Sequence, residues 1–347
     1  MISYRQQISG EQSHLLSPLL LWLVAVGALI FHSVLAADQP PPESVRFSSG
    51  DVTLAASLFM PAGKTHPGIV LIGGSGGARR GDLSEYAQHL RSLGFCALTY
   101  DKRGNGESTG DWTTSSLDDL AGDAAAAIAY LRKLPQVDPN RVGVWGVSQA
   151  GWIIPLLSAR LSDLAFAIVL TGGGATPREV EMSSYEHALD EEKVSGADRR
   201  DAEALLARYF EWLKTGVDRA GLLAAIEEAR PNSWYSVISF DQILPSERFR
   251  PKWQWVATFD PLPLIKKMQM PVLVVLGEKD HLLPVELSAQ RWREGLAAAG
   301  NTHTMVKILP GVNHAGRLGE MHSSGGLISP EYFRAVHDFL ATDIASH

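Results

Sequence analysis

A single cysteine, Cys96, stands in a chain of 347 residues, which excludes an intramolecular disulfide and any cysteine-rich metal site. Positive charge is not in excess either. The chain has 31 Lys and Arg against 38 Asp and Glu, a formal net charge of −7, and no basic stripe offsets it. That balance argues against nucleic acid as a partner. There is no His-Glu-x-x-His, no Ser-x-x-Lys of the penicillin-binding type and no Gly-x-x-x-x-Gly-Lys-Ser/Thr phosphate loop. The glycine run Gly73–Gly77 lacks the Gly-x-Gly-x-x-Gly spacing of a dinucleotide site. No metal and no organic cofactor is therefore expected. What the chain does have is apolar residues, 45% of the total, enough to bury a large core. Cys96 lies in the apolar run Gly94–Tyr100 and is expected to be a small buried residue of a strand.

The most informative segment is Val142-Gly143-Val144-Trp145-Gly146-Val147-Ser148-Gln149-Ala150-Gly151. A β-branched run breaks on a glycine, presents one serine, and enters an apolar helix through Trp152, Ile153, Ile154, Leu156 and Leu157. A nucleophilic serine needs this arrangement, because a sharp strand-to-helix turn lifts its Oγ clear of the backbone. The helix N-terminus also leaves free N–H groups facing any developing negative charge. The second glycine of the usual Gly-x-Ser-x-Gly pattern is Ala150 here, with Gly151 one step later. Taken alone, such a serine is more often an ordinary helix N-cap. Its downstream partners decide otherwise.

Pro271-Val272-Leu273-Val274-Val275-Leu276-Gly277-Glu278-Lys279-Asp280 reads as a buried strand delivering a carboxylate at its C-terminal end. Thr304-Met305-Val306-Lys307-Ile308-Leu309-Pro310-Gly311-Val312-Asn313-His314 reads as a strand followed by a loop that offers a histidine. Both end where an open parallel sheet places its binding crevice. Serine is a poor nucleophile at its own pKa. An imidazole can take its proton, and a carboxylate fixes the imidazole tautomer and stabilises its cation.

On these motifs the chain resembles the α/β-hydrolase superfamily, in particular bacterial serine hydrolases of the esterase and dienelactone-hydrolase-like branch. The likeness runs from about Val45 to the C-terminus. It implies Ser148 as nucleophile, Asp280 as acid and His314 as base. Gly73-Gly74-Ser75-Gly76-Gly77 resembles the family's His-Gly-x-Gly oxyanion turn with Gly73 in place of the histidine. The backbone N–H groups of Ser75 and Gln149 are the implied oxyanion donors. Asp101-Lys102-Arg103-Gly104-Asn105-Gly106-Glu107-Ser108 is similar to the family's Asp-x-Arg-Gly-x-Gly-x-Ser segment. Asp101 and Arg103 read as a structural clamp rather than as catalysts. His281, next to the acid, is expected in the crevice or at the surface, and Glu278 is the alternative acid. His303 is expected to open the last strand, and His322 falls in a Ser/Gly-rich loop.

The alternation of apolar strands and amphipathic helices predicts an α/β fold, a doubly wound, mostly parallel eight-stranded sheet. Strands are expected near 44–49, 52–60, 68–73, 95–100, 141–147, 166–171, 271–276 and 303–308. Helices are expected near 82–93, 117–134, 149–161, 285–298 and 330–343. The second of these carries a capping box, Ser116 with Asp119. The last begins at Ser329-Pro330 and turns Phe333, Val336, Phe339 and Leu340 inward. Residues 176–259 change to charged helical patterns and read as a helical lid between two parts of the core, 37–175 and 260–347. Four of the nine tryptophans, Trp212, Trp234, Trp253 and Trp255, fall in that insertion. Trp212 is expected to pack within the lid, and Trp253 and Trp255 to wall an apolar substrate group.

Residues 1–36 read as a signal peptide. Leu19–Phe31 is continuously apolar, and Val34 and Ala36 fit the −3 and −1 positions of a cleavage site after Ala36. An uncleaved membrane anchor is the alternative, because Leu19–Ala37 is long enough to span a bilayer. No cysteine follows that would carry a lipid. Pro40-Pro41-Pro42 then forms a stiff spacer. The expected protein is an exported serine hydrolase acting on a small-molecule acyl ester, with no stable membrane association once the leader is removed. A thioesterase, an acyltransferase or an aminopeptidase would use the same three residues. For the aminopeptidase, Glu191 and Glu192 are candidate amine anchors, with a solvated helix face as the better reading. A non-catalytic binding scaffold is disfavoured because all three positions are filled.

Overall fold

The computed structural model describes residues 40–319 and 326–344. The expected leader at 1–36, its cut after Ala36, and His322 lie outside the described residues. Among the described residues no helix is long and apolar enough to cross a membrane.

Eight strands form one sheet: β1 (Glu43–Ser49), β2 (Val52–Phe59), β3 (His66–Ile72), β4 (Cys96–Tyr100), β5 (Val137–Val147), β6 (Ala167–Leu170), β7 (Val272–Gly277) and β8 (Thr304–Leu309). All eight coincide with the expected runs to within a few residues at each end. Their spatial order is β1-β2-β4-β3-β5-β6-β7-β8. The pairs β1–β2 and β2–β4 are antiparallel, and every other neighbour is parallel. From β1 and β2 at one edge the chain crosses to β3, returns to place β4 between β2 and β3, and then winds from β5 to β8 toward the far edge.

The sheet is apolar on both faces because helices cover both, as parallel sheets require. Along β3, Val70 and Ile72 join one core cluster while Ile69 and Leu71 join the opposite one. In β5, Val142 and Val144 face the first cluster and Trp145 the second. The helices α1 (Ser84–Ser92), α2 (Leu117–Leu131), α3 (Ala150–Arg160), α7 (Val285–Ala298) and α8 (Pro330–Phe339) provide the cover. Ser116 and Asp119 form the capping box of α2, each side chain bonding the other residue's backbone N–H. Cys96 is fully buried in β4.

Between β6 and β7 lie α4 (Pro177–Glu191), α5 (Gly196–Thr215), α6 (Arg219–Ala229) and five short helical turns ending at Ile265. This segment has its own core, built from Leu206, Phe210, Trp212, Leu213, Trp234 and Phe240. Trp212 and Trp234 are packing residues of that core.

In α8 the buried stripe is Tyr332, Ala335, Val336, Phe339 and Leu340, while Phe333 is only half-buried. Half-buried Phe333 packs against the same core cluster, as expected, and Tyr332 joins the buried face because its hydroxyl has a buried partner. Trp145 Nε1 donates to it at 2.6 Å across the core. Replacing Tyr332 by Phe would orphan a buried indole N–H, at about 1–3 kcal/mol. Urea unfolding of Tyr332→Phe should therefore show a loss of that size with an unchanged m-value, and an unchanged midpoint would contradict this account of the core.

Candidate active site

The parallel register of β3 and β5 pairs Ile72 with Gly146. Glycine turn and serine turn therefore leave the sheet side by side, at the C-terminal ends of adjacent strands. Ser148 has φ +56°, a left-handed conformation that a non-glycine residue adopts at a cost of order 1–3 kcal/mol. Its N–H donates to Leu170 O (3.0 Å) in β6, and its carbonyl accepts from Gly151 N (2.8 Å). A Cβ on Gly146 would sit 2.4 Å from the Ala150 Cβ, so Ala150 is tolerated only opposite a glycine. Gly151 is needed for a different contact: a Cβ there would lie 2.3 Å from the Gly172 backbone after β6.

The three expected residues meet. His314 Nε2 lies 2.9 Å from Ser148 Oγ, and His314 Nδ1 lies 2.7 Å from Asp280 Oδ2. The Asp280 side chain is fully buried, and its Oδ1 accepts from the N–H groups of Leu282 and Leu283, both at 3.0 Å. An ionised carboxylate only accepts, so Nδ1 carries the ring proton and Nε2 is left to accept from the serine. The loop bearing His314 is pinned from three sides. Thr171 Oγ1 donates to His314 O (2.6 Å), Tyr86 OH donates to Ala315 O (2.8 Å), and Asn313 Oδ1 accepts from Ala315 N (3.0 Å).

Ser75 follows Gly74 in the turn after β3, and Gln149 precedes the first residue of α3. Neither backbone N–H has a hydrogen-bond partner among the described residues. Lys102, passed over in the sequence reading, ties the two together. Its buried Nζ donates to Gly74 O and, at 3.0 Å, to the Gln149 side chain, and lies 5.9 Å from the Trp112 ring centre. Desolvation lowers the Lys102 pKa to about 8. Flanking it, Arg103 grips Asp123 through two bonds of 2.7 Å, and Asp101 accepts from Arg80 N (2.8 Å) and Glu107 N (3.0 Å). Asp101 and Arg103 thus clamp their loop, as their segment suggested.

A cavity of about 450 Å³ opens over Ser148 and His314. Its walls include Trp152 from α3, Leu282 beside Asp280, and Val180, Glu181 and Ser184 from α4. A second cavity of about 420 Å³, rich in aromatic side chains, shares Glu181 with it. Burial raises the Glu181 carboxyl above its ordinary range, against a smaller opposing effect of its hydrogen bond to Tyr185. Trp253 lines this second cavity rather than the one at Ser148; its ring meets Trp112 edge-on, and its Nε1 donates to Thr113 O (2.7 Å). Trp255 lines neither and packs on Trp152 with ring centres 5.8 Å apart. The expectation that both tryptophans wall the substrate group is therefore corrected at the Ser148 cavity, where neither lines the wall: Trp253 faces the neighbouring cavity, and the Trp255 ring supports Trp152. Glu278 is exposed and accepts from Gly311 N (2.9 Å), away from the triad. His281 faces His187 instead of Ser148. Glu191 and Glu192 are exposed and line no part of the Ser148 cavity.

Residues 49–307 match the sequence pattern of the X-Pro dipeptidyl-peptidase (S15) family. Among characterised relatives, the quorum-quenching protein AidA of Acinetobacter baumannii is 37% identical over 131 residues, 37% of this chain and 42% of that protein. The chain thus spans under half the length of that relative. The acyltransferase drtE of Aspergillus calidoustus is 26% identical over 261 residues, 70% of this chain and 80% of the relative. Of solved structures, Est1E from Butyrivibrio proteoclasticus with ferulic acid bound superposes with a TM-score of 0.57 at 17% identity, covering 87% of this chain and 99% of that one. At that identity the likeness establishes the fold alone.

The buried Lys102 has a consequence for stability. Its pKa is about 8 in the folded chain against 10.5 for a free lysine, so between those values the unfolded chain binds the proton that the folded chain has released. Stability then rises with pH across that window. The difference in unfolding free energy between wild type and Lys102→Met should grow from pH 8 to about 10.5, measured by urea titration. A constant difference would mean that Lys102 is not desolvated.

Proposed function

The chain belongs to the X-Pro dipeptidyl-peptidase (S15) family and is an α/β hydrolase; we propose that it is an exported serine hydrolase cleaving carboxylic esters through an acyl-enzyme on Ser148. The observation that carries this reading is the unbroken relay Ser148–His314–Asp280 opening into a cavity. Ser148 Oγ attacks the ester carbonyl while His314 Nε2 takes its proton. The buried Asp280 carboxylate stabilises the imidazolium that forms. The N–H groups of Ser75 and Gln149 hold the oxyanion, and losing one such donor typically costs about 3–4 kcal/mol of barrier lowering. His314 returns the proton to the leaving alcohol. It then takes one from water, whose attack releases the acid and restores Ser148.

The helices between β6 and β7 act as a lid in this reading, since α4 walls the cavity while the triad comes from the core. A cavity of about 450 Å³ suits a small or medium acyl group. One observation favours a second substrate class. Glu181 presents a carboxyl at the meeting point of the two cavities, where an aminoacyl substrate could place its free amine. Family membership supports that amide reading, and the burial of Glu181 opposes it, because desolvation disfavours the ionised carboxylate that would hold an ammonium.

Kinetics on p-nitrophenyl esters of graded chain length and on aminoacyl p-nitroanilides separate the two. The expected result is ester turnover with a short-to-medium optimum and little anilide cleavage. His314→Ala should lower kcat by several orders of magnitude. Asp280→Asn should also lower it severely, because asparagine can stabilise the wrong tautomer. Anilide turnover that exceeds ester turnover and is lost in Glu181→Gln would establish the aminopeptidase reading instead. Export is tested separately: protein recovered outside the cytoplasm should begin at Ala37 on N-terminal sequencing, and an intact Met1 in a membrane fraction would overturn a cleaved leader.

A further inference from the structure

Away from the triad, three metal-ligating side chains converge where helix α4 meets the loop after β7. His187 and Glu191 stand one turn apart on α4, and His281 follows Asp280 in the loop. One ligand atom from each lies within 4.8 Å of the other two, and among the described residues no other group of three or more His, Cys, Asp or Glu side chains does this. The two imidazoles are half-buried and the carboxylate is exposed. Their rings sit edge to face with centres 4.1 Å apart.

The decisive detail is the His187–Glu191 contact. Nε2 and Oε1 are 3.3 Å apart, yet Nε2 is buried and makes no hydrogen bond, so the two atoms are close without being aligned on each other. His187 Nε2 thus has unspent hydrogen-bonding capacity beside a carboxylate oxygen and a second imidazole. Around a tetrahedral zinc ion with bonds of about 2.0–2.1 Å, neighbouring ligand atoms are about 3.3–3.4 Å apart.

We propose that His187, Glu191 and His281 form a site for a divalent transition metal, best filled by Zn²⁺, that bridges α4 to the loop bearing Asp280. Two imidazoles and one carboxylate are a zinc donor set, whereas magnesium and calcium favour oxygen donors throughout. Solvent access at Glu191 leaves room for water as a fourth ligand. The position gives the metal something to do. Val180, Glu181 and Ser184 of α4 and Leu282 of the loop all wall the Ser148 cavity. A bridging ion would hold those walls at a fixed separation without touching the reacting atoms.

The test uses the full, untagged chain, stripped with a chelator and titrated with Zn²⁺ by calorimetry. The expected result is one Zn²⁺ per chain at micromolar affinity or better, no heat with Mg²⁺, and at least 30-fold weaker binding in both His187→Ala and His281→Ala. Zn²⁺ should also raise the melting temperature of the wild type and leave that of His281→Ala unmoved. Circular dichroism without metal establishes that the variants fold. X-ray absorption of the zinc-loaded wild type provides a reading independent of the variants, with two imidazoles in the first shell. Failure to bind, binding that survives both substitutions, or a first shell without imidazole would each overturn the proposal.

Discussion

Ser148 is held in a left-handed backbone conformation, and the packing that maintains it dictates much of the rest of the site. Its N–H is bound by the end of β6 and its carbonyl by Gly151. Gly146 removes the side chain that would collide with Ala150, and Gly151 lets α3 approach the chain leaving β6. These restraints offset a strain of order 1–3 kcal/mol. They aim Oγ away from the sheet, toward a loop that three hydrogen bonds fix around His314. Five strand ends contribute directly: β3 the glycine turn, β5 the serine, β6 Thr171, β7 Asp280 and β8 His314. A slip of register anywhere between β3 and β8 would separate them.

Charge is handled differently at each buried group. Asp280 has no exposed side-chain surface, and its carboxylate is satisfied by two backbone N–H groups and one imidazole. Buried carboxylates require such a set. Lys102 donates to a carbonyl and an amide oxygen rather than to a carboxylate, which is why burial pulls its pKa down. Its two acceptors belong to the segments carrying the proposed oxyanion donors. Glu181 bonds to Tyr185 and has no cationic partner among the described residues, and burial moves its pKa up for the same reason.

Much of this was legible in the amino-acid sequence, for identifiable reasons. The central strands are buried on both faces and read as continuous apolar runs, whereas the edge strand β1 is largely exposed and reads as a short mixed run. The candidate triad residues stand just beyond strand ends, in the Ser–Asp–His order, and the resemblance to the α/β hydrolases singled them out from neighbours such as Glu278 and His281. Other features leave no such trace. Tyr332 joins Phe333 on the core side of α8 because Trp145 supplies a buried partner for its hydroxyl, which periodicity does not show. Lys102 sits between Asp101 and Arg103 and looks like one more solvated charge. The wall contributed by α4 shows no clear stripe, since a helix facing a cavity need be neither apolar nor polar on that side. Trp253 and Trp255 share a spacing but not a cavity, because Trp255 is spent on Trp152. His187 and His281 are far apart in sequence, and their meeting depends on how the β6–β7 segment folds back.

The central claim is that Ser148 is the nucleophile. It is tested most directly by treating the protein with a small fluorophosphonate and mapping the adduct by peptide mass spectrometry. The account predicts one adduct per chain, on the peptide containing Ser148, and none in Ser148→Ala. Labelling that persists in that variant, or an adduct on Ser75 or Ser108, would contradict it.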